Sequence, residues 1–294
     1  MIFATVCEQS RHLPISQLCN LFNVSRASYY RWSTGKISDR QYEDEVLKQQ
    51  IKEVYVENRG YYGAPRIHQA LRNQGVRTSR KRVARLMREE HLVGAVKRKT
   101  KRGGQKPEIE SFTDQVRRKF DVDAPNQVWV SDITYIKTLD GWLYAAPVID
   151  LFSRRVVGLG LGVKQDKYLA HKALAQAIEE RRPPQGLISH SDHGGVYRSN
   201  IVKELYDKHG ILGSMGSIAA PGDNAVAESF MSTLKAEVIA DIGLIARDKT
   251  AQQVFLYIMG FYNNTRLHST LGYLSPAEFE RRYFEKQSGK EVAA

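Results

Sequence analysis

Residues 128–163, VWVSDITYIKTLDGWLYAAPVIDLFSRRVVGLGLGV, decide the fold. VWVSDITYIK (128–137) is rich in β-branched and aromatic residues with alternating character, which predicts a strand. Asp140-Gly141 is a tight hairpin turn into WLYAAPVIDLF. Ser153-Arg154-Arg155 turns again into VVGLGLGV. Three strands joined by short turns predict an antiparallel meander.

Downstream the period changes to helical. Over 166–182, Leu169, Ala173, Leu174 and Ala177 form one stripe, ended by Pro183-Pro184. LISHSD (187–192) predicts a fourth strand, 199–209 a helix and ILGSM (211–215) a fifth strand. After a Gly/Pro-rich loop, a helix is predicted from about Asn224 to Ala240. The order β-β-β-α-β-α-β-α predicts an α/β domain with a mixed five-stranded sheet.

Upstream the chain is of another kind. Of 44 Lys/Arg and 32 Asp/Glu in 294 residues, residues 1–120 hold 25 and 12, so the formal charge of +12 comes from the front. A basic half points to a polyanion, because cations set on phosphates release condensed counterions. Cys7 and Cys19 are too few for a disulfide framework or a cysteine-rich zinc module. No apolar run reaches the ~18–20 residues of a membrane span, and no secretory pattern opens the chain, which together with the two cysteines fits a reducing cytoplasm.

Two helix-turn-helix patterns lie in this half. In PISQLCNLFNVSRASYYRWS (14–33), Ile15, Leu18 and Phe22 make an apolar stripe. Asn23-Val24 breaks it, and Ser25 caps a second helix. Ala27 and Tyr30 are expected inward, with Arg26, Ser28, Tyr29 and Arg31 outward as DNA contacts. In the second pattern, Pro65 opens a helix carrying Ile67 and Leu71, Gly75 breaks it, and Ser79 caps the next. There Val83, Leu86 and Met87 form the buried face, and Lys81, Arg82, Arg85 and Arg88 the other. Four cations on one face repel unless something negative lies against them, and DNA is the expected partner. Residues 39–58 predict a connecting helix with Val46, Ile51, Val54 and Tyr55 among charges, and no heptad zipper. KRKTKRGGQKPE (97–108) reads as a basic linker.

Three acids stand out in the second half. Asp132 falls in the first strand, Asp192 ends the fourth, and Glu228 opens the last helix. Carboxylates brought together repel, and a divalent ion resolves this. Oxygen-only donors favour Mg²⁺ or Mn²⁺ over zinc. Two such ions can serve in-line displacement at phosphorus. Capping and surface roles for the same acids stay open on spacing alone. Lys235 lies seven residues after Glu228 on nearly the same helix face.

WVSDITYI, HSDHGG, DNAVAESFMSTLKAE and YNNTRLHSTLGYLSPAEF together resemble the transposases of the insertion sequence 3 family. More broadly they resemble the DDE transposase and retroviral integrase group, with its ribonuclease-H-like fold. Between Asp192 and Glu228 stand 35 residues, the interval typical of that group. The resemblance covers roughly residues 10–285. It implies that Asp132, Asp192 and Glu228 are the metal-binding catalytic acids, with two Mg²⁺ ions that Mn²⁺ can replace, and that Lys235 contacts DNA near the scissile end. His193, Arg266 and His268 match motif positions as DNA or substrate-loop contacts. Asp150 reads as a structural, hydrogen-bonded acid. In place of the basic residue many relatives carry after the fifth strand, this chain has Gly216-Ser217-Ile218-Ala219-Ala220-Pro221-Gly222, which weakens a phosphate contact there.

The expected organisation is a helix-turn-helix unit (1–38), a connecting helix with a second helix-turn-helix (39–96), a basic linker (97–124), the catalytic core (125–285) and a tail (286–294). The implied reaction is cleavage of insertion-sequence ends and strand transfer by a 3′-hydroxyl. The implied partners are double-stranded DNA (terminal repeats and target), further copies of the chain, and a first-frame protein joined by frameshift. The rivals are a DNA-binding regulator with an inactive core and a ribonuclease-H-like nuclease that only hydrolyses.

Overall fold

The computed structural model describes residues 2–35, 38–95, 122–191, 195–215 and 225–291. They belong to two compact units, Met1–Gly94 and Ala95–Ala294. The basic linker lies outside the described residues except for Val122, Asp123 and Ala124.

The first unit is all helical. Helices α1 (Ile2–Gln9), α2 (Ile15–Leu21) and α3 (Arg26–Ser33) enclose Val6, Leu18, Cys19 and Tyr29. The Ser25 hydroxyl accepts the Ser28 N–H at 3.0 Å, satisfying an otherwise orphaned donor at the α3 N-terminus. Helix α4 (Asp39–Glu57) opens with a full capping box between Ser38 and Gln41. It packs with α5 (Ala64–Asn73) and α6 (Arg80–Glu89). Pro65 sits in the first turn of α5, and Gly75, at φ +86°, makes the break that few side chains tolerate. Ser79 caps α6, whose Val83, Leu86 and Met87 are buried as the apolar period predicts. On α4 the buried residues are Leu47, Ile51 and Val54, and Val46 is exposed instead.

The second unit is built on a six-stranded sheet. The strands are β1 (Val128–Ser131), β2 (Thr134–Thr138), β3 (Gly141–Asp150), β4 (Val156–Gly162), β5 (Ile188–Ser191) and β6 (Leu212–Met215). Their order is β2-β3-β1-β5-β6, with β4 also paired to β3. The count exceeds the expected five because the first predicted strand is two. β1 and β2 both run antiparallel to β3 in one continuous register, Ser131 opposite Val148 and Thr134 opposite Ala145, interrupted at Asp132-Ile133. β5 and β6 join in parallel, so the sheet is mixed as expected.

Helix α7 (Lys167–Arg181), capped by Asp166, lies against β4 and β3 and buries Leu169, Ala173, Leu174 and Ala177. Gly158 and Gly160 allow that approach, since a Cβ on Gly158 would strike the Ala173 carbonyl. Helix α8 (Asn200–His209) contributes Val202 and Tyr206 to the same core around Trp129. Helix α9 (Ala225–Leu234) passes into a π-helical turn, Lys235–Ile239, and then α10 (Ala240–Ile242). The expected 224–240 helix is therefore one run with a widened turn inside it. Helix α11 (Arg247–Leu256) ends in a second π turn, Tyr257–Tyr262. Helix α12 (Pro276–Glu291) runs on past residue 285, where a tail was expected.

Candidate active site at the ends of β1 and β5

Asp132 is not inside a strand; it is the first residue beyond β1, half-buried, in the gap before β2. The register running through the gap puts Pro147 of β3 opposite it. Proline has no N–H for a ladder, which accounts for pairing stopping there. The carboxylate accepts the Ile133 N–H at 2.7 Å. On the neighbouring parallel strand, Ser191 is the register partner of Ser131. Asp132 follows one serine in the chain and Asp192 the other; Asp192 and His193 lie outside the described residues.

Glu228 stands half-buried in the first turn of α9, and α9 packs against β1. Ala227, Phe230, Met231 and Leu234 hold that helix down by burial. Lys235, just beyond, places its ammonium 5.2 Å from the Tyr135 ring centroid. Partial desolvation draws its pKa below the ordinary lysine value, and the nearby Asp132 charge opposes this. Among the described residues, which exclude Asp192, no three His, Cys, Asp or Glu side chains cluster as a metal site.

Tyr135 and Trp142 are two further residues near the site that motif and spacing do not single out. Each is large, aromatic and exposed, and their rings meet edge to face at 5.3 Å. The available signal was the position of the two aromatics on the two arms of one predicted hairpin, with Lys137 two residues after Tyr135.

Several expected DNA contacts are corrected. Arg266 is 2% exposed, and its guanidinium is clamped on Glu237, Nε to Oε2 at 2.7 Å and Nη2 to Oε1 at 2.5 Å. Burial alone would lower its pKa, but Glu237 carries it above the ordinary value. The Tyr257 hydroxyl donates to the same carboxylate at 2.7 Å, and Tyr262 stacks against the guanidinium. A charge so enclosed cannot reach a phosphate. His268 is half-buried, pairs through Nδ1 with Thr270 Oγ1 at 2.9 Å, and sits edge-on to Tyr262.

In the first unit Tyr29 is buried and Tyr30 exposed, the reverse of the expectation. Phe3 of α1 lies outside the 14–33 pattern, and its ring packs on Tyr29 and Trp32 and so chooses the inward face. Ala27 is correspondingly outward, with Arg26 and Arg31 also exposed, while Ser28 accepts from the Ser25 hydroxyl. On α6 the four cations divide. Arg82 and Arg85 both bind Asp44 of α4, each at 2.7 Å, with Glu43 and Glu89 as further partners. The negative charge facing them is thus protein. Lys81 and Arg88 are exposed and without an ion pair among the described residues. Asp150 is fully buried, accepting N–H groups of Asn126 at 2.7 Å, Phe152 at 3.0 Å and Ser153 at 3.2 Å. Burial raises its pKa against those bonds.

Comparison with known proteins agrees with this architecture. Residues 41–100 match an HTH-like domain, and residues 122–221 and 209–276 match integrase core domains. The second unit is therefore a ribonuclease-H-like integrase core, preceded by a helical helix-turn-helix region, and the class is that of DDE-type recombinases. The chain is 38% identical to the 31 kDa protein of insertion element IS600 of Shigella sonnei, over 91% of this chain and 99% of that one. It is 34% identical to transposase InsF of insertion sequence IS3A of Escherichia coli, over 96% and 99%. The chain belongs to the transposase family of insertion sequences of the IS3 type, and DNA transposition is the activity of that family. The magnesium-bound HTLV-2 integrase catalytic core resembles 53% of this chain and 97% of its own, at 18% identity and a TM-score of 0.42. No described helix is long and apolar enough to cross a membrane.

Proposed function

We propose that the chain cuts insertion-sequence ends and joins them to DNA by phosphoryl transfer at a site formed by Asp132, Asp192 and Glu228. The observation that carries this is the register of Ser131 with Ser191, since the residues following them in the chain are the two aspartates. Asp192 Cα lies one peptide, ~3.8 Å, from that of Ser191, and adjacent strands are ~4.8 Å apart. Carboxylates brought together there would repel, and Glu228 on a helix packed against β1 would add a third.

The donor set is oxygen only, which fits two Mg²⁺ ions with Mn²⁺ as substitute. Asp132 and Asp192 would share them and Glu228 would complete the second site. When bound, such ions polarise a phosphoryl oxygen and favour deprotonation of the attacking hydroxyl. Lys235 holds the flanking phosphate beside Asp132 and offsets charge gathering on its oxygens. In the first step water attacks phosphorus, the bond to the 3′-oxygen breaks, and that oxygen leaves as a hydroxyl. In the second step the 3′-hydroxyl attacks another phosphodiester, forming a new P–O bond as the old one breaks. Half-burial of Asp132 keeps the carboxylate oriented by the Ile133 N–H during both.

Strand transfer from a labelled element-end duplex into a plasmid, with Mg²⁺ or EDTA, tests this. Joining that needs Mg²⁺ and is lost in Asp192→Asn and Glu228→Gln is expected. Cutting without joining would instead fit a hydrolysing nuclease, and binding without chemistry a regulator. Self-association on DNA and cooperation with a first-frame protein belong to the same proposal. A fused product that binds ends no better than this chain would refute the latter.

A further inference from the structure

The face of the β2–β3 hairpin that carries Tyr135 and Trp142 continues the face that α7 covers at Ala146 and Val148. Residues opposite one another in register share a face, so Tyr135 stands with Tyr144 and Lys137 with Trp142. Tyr144 is partly packed on the core, whereas Tyr135 is 58% and Trp142 45% exposed. Lys235 lies over the Tyr135 ring, and Lys137 is exposed across from Trp142. Two exposed aromatic rings thus have a cation on each side, and Tyr135 stands three residues along the chain from Asp132.

We propose that Tyr135 and Trp142 form a stacking platform for an unpaired nucleobase of the DNA strand cut at Asp132, with Lys235 and Lys137 flanking the sugar-phosphate chain. The proposal rests on the phosphoryl-transfer reading above and adds a subsite to it. The chemistry of the patch selects this occupant. A nucleobase offers a flat π face to the rings and a phosphate to each lysine, the combination by which single-stranded nucleic acid is held. An apolar protein partner would have to desolvate both ammonium groups without compensation. Where the cut lies within continuous duplex, a base paired beside it has both faces covered by its neighbours in the stack and cannot occupy the platform. Lys235 links the platform to the carboxylate, its ammonium 5.2 Å from the Tyr135 ring centroid and within electrostatic reach of Asp132, so the base held is one close to the scissile phosphate. The duplex end must therefore open at the cut, and the platform stabilises the opened form.

The test is end binding by the full chain in EDTA, where no chemistry occurs, using duplex ends with a single abasic site stepped through positions beside the cut. On the intact end, Tyr135→Ala and Trp142→Ala should each weaken binding by about tenfold, the scale of one base–aromatic stack. Tyr135→Phe and Trp142→Phe should bind like wild type. At one abasic position the wild type should weaken and the alanine variants should weaken no further. Alanine variants that bind the intact end as wild type overturn the proposal. So does a tenfold loss that persists at every abasic position, since it would not act through a base. Both side chains are exposed, so unchanged thermal unfolding is expected of all four variants. Joining in Mg²⁺ is scored separately. Wild type that joins nothing but shows the abasic-dependent loss keeps the platform and sinks the catalytic reading. Joining with indifferent platform variants does the opposite.

Discussion

The guanidinium of Arg266 and the carboxylate of Glu237 face one another in the interior, joined by two hydrogen bonds and leaving no solvent path to either charge. The pair ties the π turn after α9 to the segment that follows the second π turn, with the Tyr257 hydroxyl completing the carboxylate's partners. Removing one member leaves a buried charge uncompensated. Arg266→Ala is expected to destabilise the second unit by about 3–5 kcal/mol. Urea unfolding of the chain checks this. A loss of DNA affinity with no change in unfolding would refute it.

Asp44 performs a comparable task in the first unit, binding Arg82 and Arg85 together. The Arg85 hydrogen bond, opposed by partial burial and assisted by Arg82, holds its carboxyl below the ordinary aspartate value. A depressed folded pKa means stability that is fully present above the unfolded value of ~3.9 and lost as pH falls through the lower folded one. Asp44→Asn should lower stability at pH 7 by about 1 kcal/mol, the scale of a partly exposed pair. It should also flatten the acid limb below pH ~4, read from urea midpoints against pH. An unchanged acid limb would count against the pairing.

Gly158 and Gly162 separate two kinds of close packing on β4. A Cβ on Gly158 meets the backbone carbonyl of Ala173, which cannot turn aside. On Gly162 the one tight contact is Leu169 Cδ1 at 3.1 Å, the end of a flexible side chain, with the Lys164 carbonyl at an ordinary 3.9 Å. Gly158→Ala should therefore cost about 2 kcal/mol or more, and Gly162→Ala clearly less. Equal thermal shifts for the two would be the contrary result.

Lys235 is expected to act on the reaction more than on the fold. Lys235→Ala should slow single-turnover joining by about 100-fold at saturating DNA, as loss of one donor to a transition-state oxygen does. Lys235→Arg should retain most of the rate. If both variants join as wild type, the phosphate role is wrong.

Local signals were legible and distant partners were not. Ser25, Ser79 and Gly75 announce helix ends because a cap needs only the next few residues. The inward turn of Tyr29 has no local sign, because the ring that draws it inward, Phe3, lies on another helix. Arg82 and Arg266 looked available for DNA because Asp44 and Glu237 are brought to them only by tertiary folding. The three acids were read from motif and spacing, and the strand break at Asp132 had one visible sign, a proline in the middle of the facing strand.

That break has a mechanical side. β1 stops at Ser131, and beyond the gap at Asp132-Ile133 the β2–β3 hairpin continues on that side of the sheet. β3, however, is unbroken from Gly141 to Asp150, and β4 braces it as far as Tyr144, opposite Gly162. The hairpin is a cantilever built into the sheet through β3 and slit on one edge at Asp132. Load applied at Trp142 is borne by β3 and reaches the Asp132 gap as a small flexure. Tyr135 and Trp142 on the arm are thereby tied to the rest of the sheet through β3 rather than through the gap at Asp132.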